Sequence, residues 1–293
     1  MINNLTFLNF IKKIIFFGSI FYFLYFLSEN KAIFDQLFNL SFYEIFAILI
    51  AKLSNIIFLS YTNLFILKNL QIKMSLAESI NITVNNIIGN LVTPFKLGSG
   101  YKISYLKQHY NFKIKDYIYW NSYFSIIVLL PILALFVVLI FNFEFFQLNM
   151  NAGFFILILL LIGIFYYLIT KIFVYFTNYD LNSLFIFNKD NLKIQINYFL
   201  FFLGSTLITF LIARNLIYNF NYLSSFSYNF LNSFVNLINL TPGNIGIKEG
   251  FIIFFNKLHN IQFEFVIVIS FIERLATFIV SFIFQFIFKL KSK

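Results

Sequence analysis

Two stretches, Ile126–Phe141 and Gly153–Thr170, contain no charged residue at all. With their flanks, each reaches the roughly 20 apolar residues that cross a hydrocarbon core as a helix. Both are apolar on every face. Barrel strands would instead alternate apolar and polar over about 10 residues. The rest of the 293-residue chain has the same character, at 60% hydrophobic and 11% charged. A soluble domain carries about 25% charged residues, and a soluble fold of this size has too little interior for so much Phe, Ile and Leu. Lipid accepts them. The expected fold class is an all-α polytopic membrane protein, a single transmembrane domain over 1–293 with no soluble catalytic domain.

The sequence holds no cysteine, which removes disulfides, thiolate metal sites and thiol catalysis. His109 and His259 are far apart and read as surface or interfacial residues, so no metal site and no cofactor is expected. The net charge of +10 raises nucleic acid as a partner. In a membrane chain the excess of Lys and Arg on cytoplasmic connections accounts for it, and no nucleic acid is expected. Lys12 and Lys13 precede an apolar stretch that lacks a small-x-small cleavage site, so it reads as an uncleaved first span.

Spans are predicted near 10–28, 42–67, 117–141, 153–175, 197–220 and 262–288. Between Lys68 and Asp116 lie seven lysines against Glu78 and Asp116, the strongest inside signal in the chain. Lys289, Lys291 and Lys293 place the C-terminus on the same side as Lys12 and Lys13. The expected location is the inner (plasma) membrane with both termini cytoplasmic.

Two further apolar segments, 75–108 and 224–258, are interrupted by Pro and Gly. Val92-Thr93-Pro94-Phe95-Lys96-Leu97-Gly98 resembles Leu240-Thr241-Pro242-Gly243-Asn244-Ile245-Gly246, with Thr93 and Thr241 148 residues apart. Only three prolines occur in the chain, and two of them lie in this repeat. Asn81 and Asn229 share the offset, as do Asn85 and Ser233. If 75–108 is a re-entrant hairpin, the halves 1–148 and 149–293 each hold three spans and one hairpin. An odd number of crossings turns the second half upside down. This is the inverted 3+3 plan of transporters whose broken helices meet near the midplane.

Pro removes a backbone donor and Gly permits unusual dihedrals. Backbone groups freed in this way persist at membrane depth only beside protein or water. Each hairpin tip is therefore expected to face a cavity. A helix restarting after Gly98 or Gly246 would aim N–H groups into it and favour an anion, with Lys96 and Lys102 adding charge on one side and Lys248 on the other. Asn229, Asn232, Asn236 and Asn239 recur at helical spacing, as a stripe that either glues helices or lines the cavity. Ionisable groups inside a membrane are candidate functional residues. Arg214 reads as deep in the fifth span, and Glu273 and Arg274 as midway along the last. Arg214 paired with Glu249 or Glu273 reads either as a structural ion pair or as an arginine that grips a lipid phosphate beside a gating carboxylate. Lys52 poses the same question.

These residues carry a resemblance. The chain resembles the flippase-like family, the transmembrane region of lysylphosphatidylglycerol synthases and its stand-alone relatives. Its first motif, approximately N-x-x-x-P-x-x-x-G-E-x-x-R, is met by Asn90, Pro94, Gly98 and Lys102. The second, approximately P-G-G-x-G-x-x-E, is met by Pro242, Gly243, Gly246 and Glu249. Glu273-Arg274-Leu275-Ala276-Thr277 is similar to the closing R-L-x-T segment. Ser99 replaces a Glu, Lys102 an Arg and Asn244 a Gly. Lys102 keeps the charge but loses bidentate phosphate geometry. The resemblance implies movement of a lipid or lipid-linked glycan between leaflets, with an anionic phospholipid or a polyprenyl-phosphate-linked glycan as partner. Synthase members add a soluble aminoacyl-transfer domain, which is not expected in a chain ending at Lys293.

Four function classes remain open on the sequence. A lipid flippase fits the hairpins. A membrane-embedded transferase needs clustered carboxylates, and the chain has eleven acids with no D-x-D. A non-transporting assembly or regulatory subunit of an envelope synthase would carry the same spans. A small-solute transporter would share the cavity. The expectation is a transporter rather than an enzyme.

Overall fold

The computed structural model describes residues 40–92, 97–113, 115–117, 119–120, 189–217, 220–238, 248 and 263–291. They are helical throughout, with short turns. The helices are α1 (Phe42–Asn69), α2 (Leu76–Val92), α3 (Leu97–Tyr110), α4 (Lys189–Ala213), α5 (Tyr222–Ile238) and α6 (Phe263–Lys291). Within these, Phe42–Asn69, Lys189–Ala213 and Phe265–Phe288 are long and apolar enough to cross a membrane. The spans expected near 10–28 and 153–175 lie outside the described residues, as does nearly all of 117–141.

Local chemistry sets the helix ends. Ser41 and Glu44 form a capping box at the start of α1. The Ser41 N–H donates to Glu44 Oε2 at 2.8 Å and the Glu44 N–H to Ser41 Oγ at 3.3 Å, so each satisfies a donor the first turn leaves open. The last turn of α1 closes with Gln71 at φ 61°. There the Ile72 N–H bonds the Leu67 carbonyl and the Gln71 N–H bonds that of Lys68, the pairing expected of a left-handed C-terminal cap. Ser75 caps α2 and Asn221 caps α5.

Helix α4 begins eight residues before the predicted 197 and ends at Ala213, a correction to the expected span 197–220. Its charged first turn is held as helix by Asp190, an acid at the positive end of the helix dipole. Asp190 also pairs with Lys68 at 2.8 Å.

The chain divides into two compact units. One comprises Met1–Ile56, Asn81–Lys102 and Leu203–Lys293, the other Ile57–Ile80 and Ile103–Phe202. In the first, α1 and α4 run antiparallel: Glu44 meets Arg214, and Asn55 Nδ2 donates to Ser205 Oγ at 2.9 Å. Gly204 lies directly against the Asn55 amide, leaving no room for a Cβ. Ile48, Ile208, Ile212, Tyr228, Val266 and Ile269 form the buried core of this unit with their neighbours. Lipid tails are as apolar as these side chains, so close contact rather than water exclusion holds such helices together. The outer side of α6 exposes Leu275, Phe278, Ile279, Phe282, Ile283 and Phe286, a face suited to acyl chains.

In the second unit Lys68 pairs with Asp190, and Asn69 Nδ2 donates to Asn191 Oδ1 at 3.3 Å. Glu78 accepts hydrogen bonds from Tyr105 at 2.9 Å and from Tyr110 at 2.7 Å. Burial, reinforced by this carboxylate, pushes the Tyr110 phenol up to about 12, so it remains a donor at neutral pH.

Segment 75–108 forms a helical hairpin, as its Pro/Gly interruption suggests. Arms α2 and α3 have 17 and 14 residues, and residues 93–96 between them lie outside the described residues. Of the second hairpin, 224–258, the described parts are its first arm, α5, and Lys248.

Candidate functional site

The most densely bonded buried polar cluster lies in the first unit, around Glu273 of α6. Glu273 Oε1 accepts a hydrogen bond from Thr209 of α4 at 2.5 Å, and Glu273 Oε2 accepts one from Lys248 Nζ at 2.6 Å. Both charged side chains are about nine-tenths buried. Asn229 of α5 donates to Thr209 Oγ1 at 2.7 Å, which orients the threonine hydroxyl toward the carboxylate. The Lys248 ammonium also lies 5.3 Å from the Tyr228 ring centre, within reach of a cation–π attraction. The Tyr228 hydroxyl in turn shares a 3.0 Å hydrogen bond with Ser270. Lys52 of α1, half-buried, lies within electrostatic reach of both Glu273 and Lys248.

Glu273 belongs to a polar stripe on α6. Ser270, Glu273, Thr277, Ser281 and Gln285 recur at steps of three and four, the spacing of one helix face. Gln285 donates to Asn85 of α2 at 2.8 Å. Ser281 Oγ is fully buried with no hydrogen-bond partner among the described residues. From Ser270 to Gln285 the stripe covers about 22 Å at about 1.5 Å per residue.

The first hairpin supplies a different kind of contact. Gly98 is the second residue of α3, not a linker ahead of it, and is buried beneath α2. A Cβ on Gly98 would run into the Asn86 carbonyl and come within 2.7 Å of the Asn90 nitrogen; one on Gly89 would meet the Gly98 Cα at 2.6 Å. The glycines therefore permit close contact of the two arms. The helix expected to restart after Gly98 restarts one residue earlier, at Leu97, with Gly98 in its first turn. Ser99, where the family motif has a Glu, donates to Asn86 Oδ1 at 3.2 Å. Asn90 sits beside Asn86, its Oδ1 buried and without a partner among the described residues. Lys102 is buried on α3.

Arg214 is corrected twice. It lies just beyond the end of α4, exposed rather than deep in a span. It pairs with Glu44, not Glu273, through Nε at 3.1 Å and also through Nη2. Glu273 takes Lys248 instead. Arg274 is half-buried on α6, next to Glu273. The backbone of Asn236 belongs to α5, but its side chain lies outside the described residues, as do Pro94, Lys96, Asn239, Pro242, Gly243, Gly246 and Glu249. Thr209 and Tyr228 are site residues that sequence reasoning missed. The available signal was weak: Ser205 and Thr209 stand four apart on an apolar helix, as a polar pair facing protein would.

Long apolar helices, a tight helical hairpin and a buried ion pair inside the bundle define a helical integral membrane protein. Residues 10–284 match the family described as Lysylphosphatidylglycerol synthase TM region, and the chain belongs to that family. No curated protein and no solved structure matches it.

Proposed function

We propose that this protein moves a lipid or lipid-linked glycan between leaflets of the inner membrane during envelope biogenesis. The observation that carries the reading is the Lys248–Glu273 pair, buried among hydroxyl and amide groups on the polar stripe of α6. A charged residue inside a span is costly and is kept facing a bundle interior or a wet pathway, where it marks transported polar groups. A stripe of about 22 Å covers most of a hydrocarbon core of about 30 Å. A headgroup passing along it would exchange one hydrogen-bonding partner for the next while the acyl chains stay in lipid.

The inverted repeat is part of this proposal, and helix placement supports it. Helix α4 starts 147 residues after α1 (42 to 189), and α5 starts 146 after α2 (76 to 222), close to the 148 of the Thr-Pro repeat. The antiparallel pair α1/α4 has an acid near the start of each helix and a base near the end, Glu44–Arg214 and Asp190–Lys68. Shifting Glu44 and Arg214 by 147, one forward and one back, lands on 191 and 67, one residue from the second pair. An inverted repeat would produce that correspondence in sequence position. At about 1.5 Å per residue, α3 reaches about 21 Å, short of a full crossing, as a re-entrant arm would be. The lysine-rich 68–116 connection favours cytoplasmic termini.

The test is a leaflet-exposure assay in proteoliposomes, with fluorescent phosphatidylglycerol and an impermeant quencher. Fluorescence protected in the inner leaflet should be lost faster with wild-type protein than in empty vesicles, as lipid moves outward to the quencher. Equal rates across a panel of anionic lipids and a polyprenyl-phosphate glycan would leave a non-transporting assembly subunit as the reading.

A further inference from the structure

The hydrogen bonds around Glu273 serve two protonation states of its carboxyl equally well. In the ionised state Thr209 Oγ1 donates to Oε1 at 2.5 Å and Lys248 Nζ donates to Oε2 at 2.6 Å. The same threonine hydroxyl lies 3.2 Å from the Ser205 carbonyl, one turn earlier on α4. Its single hydrogen therefore has two acceptors within reach. A hydroxyl offers one rotatable donor and two acceptor sites. Asn229 Nδ2 fills one acceptor site of Thr209 Oγ1 at 2.7 Å and is itself held by the Ser225 carbonyl at 3.0 Å. When Oε1 carries a proton, it donates to the remaining acceptor site of Thr209, and the threonine hydrogen turns to Ser205. No heavy atom has to move, and each of the three groups keeps its partners. A carboxyl facing fixed N–H donors would instead lose a hydrogen bond on gaining a proton.

We infer that Glu273 is a proton-binding site, which takes up one proton when Lys248 is drawn away from it and releases that proton when Lys248 returns, with Thr209 as the positioning residue that accommodates both states. This rests on the transport reading and gives it a coupled ion. A carboxylate stripped of its contacting cation inside a bundle neutralises rather than stay charged. A polar group passing along the α6 stripe competes for Lys248, so loading the pathway and loading the proton go together. The proton comes from water and returns to it, and no bond other than O–H is made or broken. Among the described residues, the other charged groups beside Glu273 are Lys52 on α1, within electrostatic reach, and Arg274, the next residue of α6. Arg274 leaves the helix about 100° further round. Both favour the carboxylate, which helps the proton to leave again. From α4 and α5, Thr209, Asn229 and Tyr228 approach as uncharged groups, with the Tyr228 hydroxyl engaged by Ser270.

The test observes the proton itself. Protein in dodecyl maltoside, a detergent without a carbonyl group, is compared by infrared difference spectroscopy at neutral pH. Lys248→Met should show the C=O stretch of a protonated carboxylic acid, absent from wild type and shifted in heavy water. The band should vanish when Glu273→Gln is added. On the Lys248→Met background, Thr209→Val removes the acceptor of the acid proton and should move the band, whereas Thr209→Ser keeps the hydroxyl and should leave it in place. A folded Lys248→Met protein without the band overturns the inference, and a band that Thr209→Val leaves unmoved overturns the role of Thr209. Lys248→Gln takes over if Lys248→Met does not fold. On wild-type protein, a pH gradient across proteoliposomes should drive net transfer of fluorescent phosphatidylglycerol toward one leaflet, and a protonophore should abolish that bias. Identical transfer with and without the gradient overturns coupling. The two readings fail separately. The acid band without leaflet exchange in wild type sinks transport alone, whereas exchange that ignores the gradient, with no acid band, sinks the proton site alone.

Discussion

Removing one partner of the Lys248–Glu273 pair should be far more damaging than removing both. At 2.6 Å and an effective dielectric of about 20, the gross attraction is about 6 kcal/mol, opposed by several kcal/mol of lost solvation for each ion. The net worth of the intact pair is therefore small. Lys248→Met abolishes the attraction and leaves the Glu273 carboxylate buried with the Thr209 hydroxyl as its hydrogen-bond donor among the described residues and the more distant field of Lys52 to offset its charge. Breaking a buried pair in this way costs about 3–5 kcal/mol. Lys248→Met combined with Glu273→Leu replaces both ions with apolar volume and should recover most of that loss. Unfolding titrations in mixed micelles, run as a double-mutant cycle, give the coupling directly. Additive effects, with the double variant less stable than either single one, would show that the two groups are not partners. Transport measured on the same proteins separates fold from function: the double variant should be stable and inactive. A stable, active double variant would remove the pair from the pathway.

Two other outcomes follow from contacts already described. Gly98→Ala should destabilise the first hairpin by about 1–3 kcal/mol, as overpacking does, because its Cβ meets the backbone of α2; Gly100→Ala, with nothing within 4 Å, is the control, and equal melting temperatures for the two variants would contradict the close packing of the arms. Arg214→Ala removes an exposed pair and should cost about 1 kcal/mol or less, with leaflet exchange near wild type. A severe transport defect in a folded Arg214→Ala protein would return that residue to the candidate site.

The membrane class, the family and much of the helix inventory are local properties, and so they can be read from the sequence. Ser41 and Glu44 mark the start of α1 because a capping box needs only four consecutive residues. Gly98 and Pro94 mark a hairpin because backbone permission is written residue by residue. Partner choice is different, because it depends on how whole helices are rotated and set against one another. Glu273 could in principle meet any cation that another helix brings to membrane depth. Packing brings it Lys248 and turns Arg214 to Glu44, 170 residues away in the chain. Thr209 and Tyr228 became site residues for the same reason. Nothing in a Thr or a Tyr on an apolar helix announces its partner until α4, α5 and α6 close around the same carboxylate. Sequence thus determined that these helices belong in a membrane, and tertiary structure decided which polar groups lie buried, Glu273 inside and Arg214 exposed, and which of them touch, since contact is a property of three-dimensional packing and charge in a span is tolerated only where packing supplies its partner.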